Sequence, residues 1–302
     1  MSTIQLSGDR RWLKRRSPEF IFTKKLGYSK LSNTINFTTD YHMHSTFSPD
    51  GDHSPAQLCR RALELGLSEI AITEHAEWQP ASSLHDFPRV AAYFAALEQV
   101  RAEFGARGLA VYTGVELGNP HEYVSQASQL LRAYPFDMVI GSLHWLYGEN
   151  IHLAACFANR NPDQVYADYF AELGRMAGGF DFDIVAHFDR IIWRGTLLGA
   201  VFDPWRLEAV IRPALSAIAG AGKALELNTR FLTHTPNWNE ALVTMFGWFR
   251  EAGGSRVVVN SDAHRISELG RNTAIAGELL TAAGFELPQQ LWRVRARATA
   301  LA

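Results

Sequence analysis

The sequence is poor in cysteine and carries no marked excess of charge. Its 302 residues include only two cysteines, Cys59 and Cys156, and neither belongs to a Cys-x-x-Cys pair. A disulfide framework or a zinc ribbon is therefore not expected. Lysine and arginine number 29 against 31 acidic residues, which gives a formal net charge of −2. Such a balance provides no basic face for double-stranded nucleic acid.

Long apolar runs are also missing, so we expect no membrane span. The chain starts with a basic segment that includes Arg10, Arg11, Lys14, Arg15 and Arg16. No apolar segment follows it, as one would in a signal peptide. We interpret residues 1–38 as an N-terminal extension: a poorly ordered terminus, an added strand or helix, or an arm that binds a partner or a polyanion. These features, with the low cysteine content, favour a cytoplasmic protein.

From residue 39 onward, short apolar runs alternate with longer helical patterns. The predicted strands are 39–44, 69–73, 109–115, 137–140, 182–186, 223–227 and 256–260. The predicted helices are 55–65, 88–104, 121–132, 162–177, 205–220 and 238–252. Seven strands that are each followed by a helix or loop predict a parallel α/β fold. Seven units indicate an incomplete or distorted barrel over residues 39–302, with a doubly wound sheet as the alternative.

Side chains that suit metal binding stand where the predicted strands end. His42 and His44 share one face of the first strand, because successive strand residues point to opposite faces. Asp50 lies in the loop after the first strand. Further imidazoles and carboxylates lie at the ends of later strands: His75, Glu116, His144, His187, Asp262 and His264. The carboxyl ends of parallel strands converge on the face where such folds build active sites. A buried cluster of imidazoles and carboxylates would leave polar atoms without hydrogen-bond partners unless a metal bound there. We therefore predict a metal site.

The number and type of these residues indicate the metals. Histidine, aspartate and glutamate without cysteine suit Zn, Mn, Fe or Co rather than a thiolate site. Nine ligands are too many for one tetrahedral ion, but they suffice for two or three ions if a carboxylate bridges. Ions about 3.5–4 Å apart can share a hydroxide and clamp a phosphoryl group. We therefore expect two or three divalent transition-metal ions as cofactors.

At this point the residues resemble the PHP family (polymerase and histidinol phosphatase), and most closely its monofunctional histidinol-phosphate phosphatases. The matching pieces are His42-Met-His44, Asp50-Gly51, Thr73-Glu74-His75, Gly114-Val-Glu116, Ser142-Leu-His144, His187-Phe-Asp189 and Ser261-Asp-Ala-His264. They span about residues 40–265. The resemblance implies a distorted (β/α)7 barrel with a trinuclear metal site at the carboxyl ends of its strands.

The resemblance also implies how the ligands divide among three ions. The first ion is held by His42, His44, Glu116 and Asp262. The second ion shares Glu116 and takes His144 and His187. The third ion is held by Asp50, His75 and His264. We assign the catalytic roles to Glu116, Asp262 and His264.

Two arginines fall on the same face of the predicted barrel. Arg190 follows the fifth predicted strand and Arg230 the sixth. Guanidinium groups suit phosphate oxygens, and the resemblance places basic residues near these points. We predict that both bind a substrate phosphate, with a surface salt bridge as the alternative. Trp145, Tyr147 and Trp193 are expected either to line the pocket or to pack.

These features predict a metal-dependent phosphatase, a hydrolase of phosphoric ester bonds that acts on a small phosphorylated metabolite. The resemblance implies L-histidinol phosphate as substrate, as in histidine biosynthesis, hydrolysed to L-histidinol and phosphate through a metal-bridging hydroxide. A phosphodiesterase or cyclic phosphate hydrolase acting on nucleotides or another metabolite is the alternative, because the family hosts these reactions on the same ligands. A third hypothesis is a non-catalytic metal-binding module. The complete set of predicted ligands argues against it.

Overall fold

Seven parallel strands form one sheet in the computed structural model, which describes residues 37–82, 89–232, 236–289 and 292–294. The strands of this sheet, in spatial order, are β1 (Thr39–Asp40), β2 (Glu69–Ala76), β3 (Ala110–Gly118), β4 (Met138–Ser142), β7 (Ile184–Val185), β8 (Ala224–Asn228) and β9 (Val257–Asn260). Two further strands, β5 (Trp145–Leu146) and β6 (Glu149–Asn150), form a separate antiparallel hairpin. The predicted extension over 1–38 lies outside the described residues except for 37 and 38, so its boundary stays a prediction.

The two edges of the sheet meet beyond β1 and β9. Met43 and Ala263 form a parallel bridge, and the backbone N–H of His44 donates to the carbonyl of Ala263 at 2.8 Å. The backbone N–H of Tyr41 donates to Oδ1 of Asn260 at 2.8 Å. Strands that follow in chain order and then close on themselves form a barrel. The distorted (β/α)7 barrel is confirmed, and the doubly wound alternative is wrong.

Helices follow the strands and cover the barrel. They are α1 (Pro55–Glu64), α2 (Val90–Gly105), α3 (Val124–Ala133), α4 (Pro162–Gly179), α5 (Arg190–Leu197), α6 (Glu208–Gly220), α7 (Pro236–Glu251) and α8 (Thr273–Ala282). The six predicted helices are present with small shifts of their ends, whereas α5 and α8 were not predicted. Helix α1 begins at Pro55 because Ser54 and Gln57 form a capping box. None of the described helices combines the length and apolar character that a membrane crossing requires.

Successive side chains of a strand point to opposite faces, so the apolar residues form one cluster outside the barrel and another inside it. Ile70 and Ile72 of β2 pack with helix residues outside the barrel, whereas Ala71 packs with Met138 and Ile140 of β4 on the inside. The inward-facing positions continue upward along each strand in steps of two. The same faces that fill the lower barrel with apolar side chains therefore carry polar side chains at its carboxyl end.

Helix α5 packs closely on α4 at Gly195. A Cβ at this position would overlap the hydroxyl of Tyr166 and lie 2.8 Å from its Cζ. The Tyr166 ring is buried and packed by Phe157 and Phe202, so it has little room to yield. We expect Gly195→Ala to lower the free energy of unfolding by about 1–3 kcal/mol, the usual cost of overpacking.

Urea denaturation of this variant is compared with that of Gly247→Ala in α7, where an added Cβ meets no atom within 4 Å. The control should be neutral or more stable by up to about 1 kcal/mol, because alanine favours the helix. Equal stability of the two variants would contradict the packing described for α5.

Candidate metal centre and active site

The carboxylate of Glu116 lies at the centre of the buried polar cluster. Its Oε2 is 3.2 Å from Nε2 of His42, 3.3 Å from Nε2 of His44 and 3.1 Å from Nδ1 of His75. Glu116 itself is fully buried on β3. One oxygen of this carboxylate therefore faces three imidazoles that come from β2 and from the segment after β1.

The other oxygen of Glu116 faces a second group. Its Oε1 is 3.1 Å from Nε2 of His144 and 2.9 Å from Nε2 of His187. The hydroxyl of Ser142 also donates to Oε1 at 2.5 Å. A carboxylate whose two oxygens address separate sets of ligands has the arrangement that a bridging ligand requires.

Asp262 is a second carboxylate that approaches His42 and His44. Its Oδ1 is 3.7 Å from Nε2 of His42 and 3.5 Å from Nε2 of His44. Its backbone has a positive φ of 49°, a conformation that residues other than glycine seldom adopt. Strain of this kind is found where the surrounding structure fixes a functional side chain.

Asp50 completes the cluster from the loop after β1. Its Oδ2 is 3.5 Å from Nε2 of His75 and 3.1 Å from Nε2 of His264. The ring of His44 lies between these two imidazoles, with centroid distances of 4.1 Å and 4.4 Å. All nine predicted ligands are thus brought together at the carboxyl ends of the strands.

Unpaired atoms show that this cluster fits metal ions. Nε2 of His42, Nε2 of His44, Nδ1 of His75 and Oε2 of Glu116 are buried and lack hydrogen-bond partners within the described part of the chain. These atoms point at one another, and buried polar atoms without partners are costly. Ligand atoms come within 4.8 Å of one another in the groups His44–His75–His264, His42–Glu116–His187 and His42–His44–Asp262.

Opposite charges compensate one another within the cluster. Burial alone would raise the pKa of Glu116, but His42 and His75 hold that pKa well below its usual value. Burial alone would lower the pKa of His42, but Glu226 and Glu116 raise it well above the usual value. Burial lowers the pKa of His44 to about 4, with a smaller contribution from His75. A cation that enters the site must therefore displace protons from some imidazoles.

Two buried carboxylates outside the predicted ligand set, Glu226 and Glu77, contact the Nδ1 atoms of two predicted ligands. Oε2 of Glu226 is 2.8 Å from Nδ1 of His42, and Glu77 contacts Nδ1 of His144. Nε1 of Trp145 donates to the other oxygen of Glu77 at 3.0 Å. A proton on Nδ1 leaves the Nε2 lone pair free for a metal, so such contacts fix the useful tautomer.

The strand face carried a signal for Glu77. It lies two residues beyond His75 and therefore points the same way. Room for its carboxylate comes from Gly118 on β3, where a Cβ would overlap the carboxylate. The ligand atoms of His75, Glu77 and His144 also come within 4.8 Å of one another, so Glu77 can reach a metal itself.

Both predicted phosphate-binding arginines lie at this cluster. Nη2 of Arg190 is 2.6 Å from Oδ2 of Asp262, and the whole side chain is buried. Nη1 of Arg230 is 3.0 Å from Nδ1 of His264 and 3.6 Å from Oδ2 of Asp262. The side chain of Arg230 is 28 % exposed, so it lies at the rim.

Trp145 and Trp193 pack, as one of the two expectations had it, whereas Tyr147 lies at the surface. Trp145 is buried, and its indole N–H bonds to Glu77, the carboxylate that contacts the predicted ligand His144. Trp193 stacks on Phe231 at a centroid distance of 4.5 Å. Tyr147 is 40 % exposed and donates its hydroxyl to Asp168 on α4 at 2.5 Å.

Comparison with known proteins identifies the family. A model of the PHP domain matches residues 40–230, well over half of the chain. The chain belongs to the PHP domain family. The predicted resemblance is therefore confirmed, and the matched range contains seven of the nine predicted ligands.

Relatives within this PHP family carry a consistent name. The chain is 26% identical over 249 residues to the histidinol-phosphatase of Lactococcus lactis, which covers 82% of this chain and 91% of that protein. It is 28% identical over 242 residues to a protein of Deinococcus radiodurans named "Probable histidinol-phosphatase", with 76% and 88% covered. The crystal structure of the Lactococcus histidinol phosphate phosphatase, complexed with zinc, L-histidinol and phosphate, has a TM-score of 0.73. Its sequence identity is 24%, with 82% of this chain and 94% of that chain covered, so this likeness shows the shared fold.

The ligand set of this PHP protein predicts tight, pH-dependent metal binding. The purified chain should carry two or three divalent ions, and chelation should lower its melting temperature by linkage. Affinity should rise with pH, because the raised pKa values of His42 and His75 mean that protons compete with the metal. We expect about tenfold per pH unit for each proton released. Metal titration of the stripped protein at several pH values measures this, and a pH-independent affinity would contradict it.

Loss of the outer carboxylate should weaken metal binding without removing a predicted ligand. Glu77→Gln should lower the affinity for metal about 10- to 100-fold, because the amide is a poorer partner for the imidazole N–H of His144. Elemental analysis after dialysis against a weak chelator measures the metal retained. Glu64→Gln is the matched control, since the Glu64 side chain is 63 % exposed on α1 and pairs with Arg61 instead. Equal metal retention in the two variants would show that Glu77 does not support the centre.

Proposed function

We propose that this PHP protein is a metal-dependent phosphatase that hydrolyses a small phosphate monoester, with L-histidinol phosphate as the leading substrate. The observation that carries the proposal is the Glu116 carboxylate between two sets of imidazoles, with Arg190 and Arg230 beside them. The names of the relatives agree with the predicted enzyme class. They also favour a monoester over the diesters and cyclic phosphates that the family accommodates.

We propose two or three divalent ions, with zinc, manganese or iron as candidates. His42, His44, Glu116 and Asp262 would hold the first ion; Glu116, His144 and His187 the second; Asp50, His75 and His264 the third. Three observations support this division: the group His42–His44–Asp262, the contacts of Glu116 Oε1 with His144 and His187, and those of Asp50 with His75 and His264. The Lactococcus structure contains zinc. Such ions supply an activated water near neutral pH and offset the charge of a phosphoryl group.

The side chains around the ions would bind and orient the substrate. Asp262 anchors Nη2 of Arg190, so the guanidinium stays beside the predicted ligands, where it can bind phosphate oxygens. Arg230 contacts both Asp262 and His264, which places a second cation at the rim. Fixed positive charge in a largely buried site stabilises the charge that develops as the phosphoryl group transfers. We assign Glu116, Asp262 and His264 to catalysis for these contacts.

The complete set of nine ligands counts against the non-catalytic module. A module that only stabilises a larger enzyme does not need two arginines beside a bridged metal centre. The choice of L-histidinol phosphate as substrate is based on the names of the relatives rather than on a pocket for the imidazole and amine of histidinol. This choice is therefore tested by comparing substrates directly.

Release of phosphate from L-histidinol phosphate should exceed that from nucleotides, phosphodiesters and cyclic phosphates under identical metal loading. The measurement is kcat/KM for each compound with the fully loaded protein. We expect L-histidinol phosphate to lead by at least about tenfold, the effect of about 1.4 kcal/mol of differential transition-state binding. If kcat/KM is higher for a diester or cyclic phosphate by the same margin, the proposed substrate is wrong, whereas the proposal of metal-dependent hydrolysis is unaffected. No hydrolysis of any ester by the loaded protein would favour the non-catalytic module.

A further inference from the structure

Arg190 is held on three sides. Besides the contact of Nη2 with Asp262, its guanidinium carbon lies 5.2 Å from the ring centroid of Phe231. On the remaining edge, Nη1 is 3.4 Å from Nδ1 of His152. Only 5 % of Arg190 is exposed, so few alternative positions are open to it.

His152 reaches Arg190 from the segment that follows the β5–β6 hairpin. This segment is tied to a predicted metal ligand, because the backbone N–H of Ile151 donates to the carbonyl of His144 at 2.9 Å. The backbone N–H of His152 donates to Oδ1 of Asn150 at 2.8 Å, which fixes the next residue as well. The His152 ring lies 6.3 Å from that of His144 and 6.5 Å from that of Trp193. His152 therefore stands on the catalytic face between a ligand and an arginine.

The chemistry of the two partners sets the direction of their contact. A guanidinium group donates hydrogen bonds and accepts none. Nδ1 of His152 must therefore present its lone pair to Arg190, and a neutral ring then carries its proton on Nε2. Without the contact at Nη1, Asp262 would hold the guanidinium through one hydrogen bond, about which its plane could still tilt. The second contact, at Nη1, removes that freedom.

We propose that His152 is a positioning residue for Arg190, which accepts from Nη1 and fixes the guanidinium plane that meets the substrate phosphate. The inference rests on the proposed function, in which Arg190 binds that phosphate. Two parallel N–H groups match two phosphate oxygens only when their plane is set, so orientation decides how much of the interaction is realised. His152 acts through Arg190 in this account and makes no contact with the metal ions.

The test compares two substitutions of His152 in two backgrounds. His152→Asn keeps an acceptor near the position of Nδ1, whereas His152→Leu keeps bulk and removes the acceptor. Each is made in the natural protein and together with Arg190→Ala, all fully loaded with metal. The readouts are the Kd of inorganic phosphate by calorimetry, KM and kcat with L-histidinol phosphate, and metal content. His121→Leu is the control for the phosphate Kd and the kinetic constants, since His121 is an imidazole that bonds to Glu172 on α4 instead of Arg190.

We expect His152→Leu to weaken phosphate binding about tenfold, the scale of one hydrogen bond to a charged group. KM should rise by a similar factor with a smaller change in kcat, and His152→Asn should restore both to within about twofold, as for any conservative replacement that keeps the bond. In the Arg190→Ala background His152→Leu should have no further effect, because the group it positions is gone. The control should match the natural protein.

Three results would overturn the inference. They are an unchanged phosphate Kd in His152→Leu, the same loss with and without Arg190, and a loss of metal in His152→Leu. The second would indicate direct contact with the substrate, and the third a role in holding His144. If Arg190→Ala itself leaves phosphate binding unchanged, the role of Arg190 in the proposed function fails and the inference falls with it. If Arg190→Ala weakens phosphate binding and His152→Leu does not, the inference about His152 is wrong and the proposed function stands.

Discussion

The buried carboxylate of Glu116 is the group on which the rest of the site depends. A carboxylate taken out of water inside a barrel is costly unless cations surround it. Here five imidazoles and the hydroxyl of Ser142 converge on its two oxygens. Metal ions at this point would share the charge and supply partners for the buried atoms that lack hydrogen bonds among the described residues. Folding, metal binding and the proposed chemistry are therefore linked through one residue.

The barrel supplies this arrangement through simple geometry. The inward face of each strand carries apolar residues low in the barrel and polar residues at its carboxyl end. On β8, for example, Ala224 packs in the lower core, and two residues further Glu226 bonds to Nδ1 of His42. The carboxylates of Glu226 and Glu77 contact the Nδ1 atoms of two predicted ligands, and Arg190 contacts a third, Asp262. The strands thus position the predicted ligands, and the segments after them carry the arginines that are proposed to bind the substrate phosphate.

Much of this could be predicted from the sequence, because the signals are local. Apolar runs mark the strands, and the predicted ligands other than Asp50 lie near the carboxyl end of a strand or in the segment that follows it. The first strand is shorter than predicted, ending at Asp40 instead of residue 44. Beyond Asp40, side chains accept two of the backbone hydrogen bonds that a longer strand would make to its neighbours. Oδ1 of Asn260 accepts from the N–H of Tyr41, and Oγ1 of Thr73 accepts from the N–H of Met43. Only the folded barrel provides these partners, so periodicity alone extends the strand too far.

Other features were missed because their meaning depends on tertiary contacts. Helix α5 starts at Arg190, directly after a ligand motif, and is only eight residues long. The β5–β6 hairpin turns through Tyr147 and Gly148, which both have positive φ, but tyrosine is an uncommon first residue for such a turn. A turn was therefore hard to foresee, and with it the position of His152. Glu77 was on the correct strand face, yet only its contact with His144 reveals what it does.

The most direct measurement of the central claim is the metal content of Glu116→Gln together with its turnover of L-histidinol phosphate. If Glu116 bridges two ions, the variant should keep its fold by circular dichroism, lose at least one ion per chain, and lose on the order of a thousandfold in kcat, the scale of a lost electrostatic contact to the transition state. Full metal occupancy with near-normal turnover would contradict the bridging role and the account of the site built on it.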